Sequence, residues 1–117
     1  MRTKNDNVET NFHPMLTQLL FHLSPIYTGW DSELVITSGS ESSSVHSKTS
    51  LHYATPGQAA DLRSWLTGST PDVATQAAVL KAACEKFCEK HSIPTDWVEV
   101  ILETTHIHIE YQPKRIG

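Results

Sequence analysis

Residues 103–111 read Glu-Thr-Thr-His-Ile-His-Ile-Glu-Tyr, with histidine and isoleucine in alternation. A period of two is that of a strand, so His106, His108 and Glu110 line one face and Ile107, Ile109 and Tyr111 the other. Residues 98–103 also read as a strand, separated from the first only by Thr104 and Thr105. A tight connection there puts Glu103 opposite His106 and Ile101 opposite His108, with Val100, Leu102, Ile107 and Ile109 on a shared core face. Thr-Thr suits a primed two-residue turn poorly, which leaves a longer loop open as the alternative.

Helical spacing governs two other stretches. Apolar residues recur at Phe12, Leu16, Leu19, Leu20 and Leu23, with Pro14 acceptable in a first turn and Ser24-Pro25 as the predicted end. The second helix is predicted from Pro71, capped by Thr70, to about His91. Its buried stripe is Val73, Ala77, Leu80, Cys84, Phe87 and His91, widened by Ala83 and Cys88, while Lys81, Glu85, Lys86, Glu89 and Lys90 form a solvated face. Between the helices, residues 33–39 form a short strand closed by Gly39. The serine-rich run 40–50 reads as an irregular loop rimming a site, because the chain is too short for a linker between two cores. Residues 1–10 are polar and are expected to be disordered or loosely attached, leaving residues 11–117 as a single domain. The element order implies an α+β domain: a small antiparallel sheet with helices on one face and any site on the other.

Composition narrows the function. The chain has 117 residues and a net charge of -4, with no basic patch to hold nucleic acid. No apolar run approaches a membrane span and the polar start is no signal peptide, so synthesis in a cytoplasm and no membrane partner are expected. Cys84 and Cys88 are expected as buried, reduced thiols. Histidine is the oddity, at seven residues. His13 and His22 lack a ligand pattern around them and read as surface or packing residues, whereas His52, His106 and His108 lie near carboxylates Asp61 and Glu103.

Those five residues are the candidates for a catalytic zinc centre, which takes three protein ligands from His, Asp or Glu and leaves a fourth position to water. Such a centre needs a carboxylate to move the water's proton and a neutral donor near the substrate's carbonyl oxygen. The spacing by itself leaves open whether His106 and His108 are ligands or merely exposed strand residues.

Further detail comes from a resemblance. Ser50-Leu51-His52-Tyr53, then Gly57, Ala59 and Asp61 at alternate positions, Asp96-Trp97-Val98, and Thr105-His106-Ile107-His108 resemble the superfamily joining the D-alanyl-D-alanine metallopeptidases to the hedgehog signalling domain. The branch nearest in pattern is that of small phage and bacterial peptidoglycan peptidases, and the likeness runs from about Val35 to Lys114. It implies the hedgehog/DD-peptidase fold, with His52, Asp61 and His108 as zinc ligands and Glu103 as general base. His106 would then sit beside the open metal position, donating to the oxyanion or orienting substrate. A variant within the superfamily uses Glu-x-x-His spacing and would make His106 the ligand. Ser50 is implied as a substrate-contacting or supporting hydroxyl, and Arg63 as a partner of a substrate carboxylate or of a structural acid.

Two departures from the family pattern carry consequences. Ala54-Thr55-Pro56 lengthens the interval from His52 to Asp61 by two residues, which a bulged loop would absorb; failing that, His46 is the substitute ligand. No Arg follows Ser38-Gly39, where carboxypeptidase relatives hold a substrate's terminal carboxylate, and this favours an endopeptidase over a D,D-carboxypeptidase. The implied protein is a monomeric hydrolase of cell-wall degradation, such as a phage endolysin delivered by a holin or tail. A catalytically silent zinc-binding module, for instance a virion component, is the other reading.

Overall fold

A computed structural model describes residues 1–39, 58–66, 69–104 and 106–113. His46, Ser50 and His52 lie outside the described residues. The elements in order are β1 (Arg2–Thr3), α1 (Pro14–Gly29), β2 (Val35–Ser38), β3 (Ala59–Arg63), α2 (Val73–His91), a short 3-10 turn (Thr95–Trp97), β4 (Val98–Leu102) and β5 (His106–Tyr111). The strands form one sheet in the order β1-β2-β3-β5-β4. The chain is therefore α+β, but its sheet is mixed. β1 runs parallel to β2, and every other pair is antiparallel. The polar start is thus held in the sheet at Arg2–Thr3, where Arg2 N–H donates to the Leu34 carbonyl and the Arg2 side chain pairs with Glu33. Two edge residues are too few to show a hydrophobic period, so sequence patterning cannot reveal such a strand.

α1 starts as expected, with Pro14 in its first turn and the His13 ring nitrogen Nδ1 accepting the Met15 N–H at 3.1 Å. It does not stop at Pro25. An interior proline costs one helical hydrogen bond, about 3 kcal/mol. The two turns flanking it bury Leu23 and Tyr27 completely, and at about 1.5–3 kcal/mol for a fully buried large apolar side chain this packing outweighs the break. α2 begins two residues later than the Pro71 start, because Asp72 rather than Thr70 caps it, its carboxylate accepting the Thr75 N–H at 2.7 Å. It ends at His91, where Ser92 takes a left-handed conformation.

Both helices cover one face of the sheet. Leu16, Leu19, Leu20, Leu23 and Tyr27 of α1 and Leu80, Cys84 and Phe87 of α2 pack with Ala60, Leu62, Ile107 and Ile109 in one cluster. Cys84 and Cys88 are buried free thiols, and burial pushes the Cys84 thiol up to about 12, where it stays protonated and inert.

Gln76 is fully buried on α2. Its amide donates to the carbonyls of Trp65 (2.6 Å) and Pro71 (2.8 Å) and accepts the Trp65 N–H (3.3 Å), closing the chain between β3 and α2. Gln76→Ala should lower the unfolding free energy in urea by about 2–4 kcal/mol, since it leaves buried backbone groups without these partners. The Tyr27 hydroxyl, by contrast, is buried with no hydrogen-bond partner among the described residues. Tyr27→Phe should therefore raise stability in the same assay, by about 0.5–1 kcal/mol.

Candidate functional site

The face of the sheet opposite the helices is built by register. Asp61 of β3 pairs with His108 of β5, and His108 pairs in turn with Ile101 of β4. One step along, Arg63 pairs with His106, and Glu103 N–H donates to the His106 carbonyl at 3.0 Å. In the other direction Ala59 pairs with Glu110, which pairs with Glu99. Directly opposed residues share a face, so Asp61, Arg63, Glu99, Glu103, His106, His108 and Glu110 project to one side. The expected pairings of Ile101 with His108 and Glu103 with His106 are those found. A register irregularity in β2, between Ile36 and Ser38, brings Ser38 opposite Asp61 while Ile36 stays opposite Leu62 on the core side.

Polar contacts converge on one carboxylate oxygen. Asp61 Oδ1 lies 2.7 Å from His108 Nδ1 and 3.4 Å from His106 Nε2. His106 Nε2 is also 3.4 Å from Glu103 Oε2, and Glu103 Oε1 stands 4.0 Å from His108 Nδ1. The second nitrogen of His108, Nε2, is 2.8 Å from Glu110 Oε1. Asp61 and His108 are both buried, at 8% relative exposure, whereas the Glu103 side chain is 45% exposed.

His108 is thus clamped between two carboxylates. Burial by itself would depress its pKa. The hydrogen bonds that His108 donates to Asp61 and Glu110, with the charges of both, outweigh burial and raise the pKa to about 9. Protonated, the ring donates through both nitrogens.

Four of the residues singled out from sequence are brought together: Asp61, Glu103, His106 and His108. Arg63 lies beside them, but its guanidinium sits 5.0 Å from the Trp65 ring centroid and it makes no ion pair among the described residues. Glu110 is the residue that sequence reasoning placed on the right face without a role; the signal was its place in the same alternation as the histidines.

A metal fits the chemistry of this donor set. Ligands about 2.0–2.1 Å from a tetrahedral zinc stand about 3.3 Å apart. The Asp61–His108 pair, at 2.7 Å, is in direct hydrogen bond and would have to open as the proton leaves; the 3.4 Å Asp61–His106 spacing fits the variant in which His106 is the ligand. Among the described residues no three donors already surround a common metal position. The chain matches no family model, no curated protein and no solved structure. No helix among the described residues is long and apolar enough to cross a membrane.

The clamp makes stability depend on pH. Folded His108 keeps its proton to about 9, and the unfolded chain releases it near the ordinary value of 6.5. Its contribution is therefore complete below 6.5 and lost as pH rises to about 9. For metal-free protein the urea unfolding free energy should fall by about 1–2 kcal/mol across that window, the full shift being discounted for solvent screening. Asp61→Asn should flatten most of the slope.

Proposed function

We propose that the protein is a zinc-dependent peptidase acting on peptidoglycan stem peptides, cutting within the stem in preference to acting as a D,D-carboxypeptidase. The observation that carries this reading is the convergence of Asp61, Glu103, His106 and His108 on the helix-free face, with ligand, base and donor side by side. Asp61 and His108 are the ligands, with His52, which lies outside the described residues, as the third that the resemblance implies. Zinc, when bound there, supplies a water of lowered pKa and a polarised carbonyl. His108 must give up its Nδ1 proton to act as ligand, so affinity for zinc rises with pH up to about 9.

The chain's own residues then divide the work. Glu103 takes the proton of the attacking water and passes it to the leaving amine; its half-exposed carboxylate, 3.4 Å from His106, has access to substrate. His106 Nε2 donates to the carbonyl oxygen as negative charge develops on it. Arg63, on the same face with its guanidinium 5.0 Å from the Trp65 ring centroid, pairs with a substrate carboxylate or a structural acid. Ser50 contacts substrate or supports His52. The substrate is a peptide of the cell wall, the working unit a monomer, and delivery to the wall falls to a phage holin or tail.

A second reading, a zinc-binding interaction module without catalysis, is favoured by one observation. Both nitrogens of His108 are already engaged by carboxylates, a network that is complete without chemistry. Mass spectrometry of purified stem peptides incubated with zinc-loaded protein separates the two readings. The parent should release products whose masses name the bond, and Glu103→Ala should reduce turnover by about 10²–10⁴-fold. Stoichiometric zinc with no product from the parent would select the silent module.

A further inference from the structure

We infer that Glu110 is a positioning residue that holds His108 by its Nε2 hydrogen and thereby presents Nδ1, beside Asp61, as the metal-facing nitrogen. The inference rests on the zinc reading above and concerns which atom of His108 serves as ligand and what fixes it.

The backbone sets this up. Glu110 follows His108 by two residues on β5, so both side chains stand on the same face. Its cross-strand neighbours are Ala59, which offers no polar group, and Glu99, which is a like charge. A carboxylate directly opposite another carboxylate is unfavourable in a sheet. Glu110 escapes by turning along its own strand to His108, where Oε1 meets Nε2 at 2.8 Å, and its side chain is only 18% exposed. A local rule is broken at Glu99 and Glu110, and the interaction gained at His108 is what compensates for it.

The two ring nitrogens each meet one carboxylate, and only the Nδ1 side also gathers Glu103 and His106. Nε2 is committed to Glu110, while Nδ1 points to Asp61 at 2.7 Å, with Glu103 at 4.0 Å and His106 meeting the same Asp61 oxygen. A histidine ligand that donates its other N–H to a carboxylate has its tautomer and ring plane fixed and its basicity raised. Glu110 supplies that carboxylate from within the strand, with no loop required to deliver it.

Two measurements on the full chain test this. Long-range 15N–1H spectra of the zinc-loaded parent should show His108 metallated at Nδ1 and protonated at Nε2. Zinc titration by competition with a chelator should show Glu110→Ala weakened by about 10–100-fold, with Glu110→Gln, which keeps an acceptor oxygen for Nε2–H, recovering part of the loss. Cobalt substitution should give a shifted visible spectrum for Glu110→Ala and a parent-like one for Glu110→Gln. Metallation at Nε2 in the parent overturns the inference even if Glu110→Ala does not fold. Equal zinc affinity and cobalt spectra for the parent and Glu110→Ala, with Asp61→Ala unable to bind, overturn it while leaving the zinc reading intact. A parent that binds no zinc overturns both.

Discussion

The contact on which the site side of the molecule depends is that between Asp61 and His108, a carboxylate and an imidazole 2.7 Å apart across the β3–β5 ladder and both buried. An isolated buried carboxylate is expensive, and so is an isolated buried imidazolium. Side by side, with Glu110 on the far side of the ring, each offsets most of the other's loss of water. The pairing also constrains the sheet. Side chains alternate with period two, so a one-residue slip of β5 against β3 would drive Ile107 and Ile109 out of the core and His108 into it. The apolar contacts behind the sheet and the polar contact in front of it select the same register.

That agreement explains what the sequence could disclose. Histidine alternating with isoleucine on β5 declares both faces of one strand, and it carries the hairpin register with it, down to Ile101 opposite His108. The second helix shows itself in Leu80, Cys84 and Phe87. β3 was much harder to read. Ala-Ala-Asp-Leu-Arg has little intrinsic preference for a strand, and its small residues read equally well as backbone packed near a site. It is central to the sheet because β2 and β5 flank it, a tertiary fact. Pro25 is similar: a local stop signal is overridden by Leu23 and Tyr27, whose burial needs the helix to continue.

The polar residues show the same limit. Asp61, Glu103, His106 and His108 are legible as candidates from the strand alternation and from the resemblance, while spacing by itself leaves their roles open. Gln76 and Glu110 were not. Gln76 closes backbone groups near Trp65 and Pro71 that come together only in the fold. Glu110 has an ordinary place on a polar strand face until its cross-strand neighbour Glu99 and its partner His108 are known.

Structural and catalytic zinc make different demands on a fold. A structural zinc substitutes for a core that a small chain cannot build, and such domains unfold without it. Among the described residues the main apolar cluster lies behind the sheet, where α1 and α2 pack with Ala60, Leu62, Ile107 and Ile109. The face also satisfies itself without metal, since His108 exchanges hydrogen bonds with Asp61 and Glu110. The apolar cluster and the polar face are thus separate in their contacts, and the half-exposed Glu103 stands at the rim of the polar face.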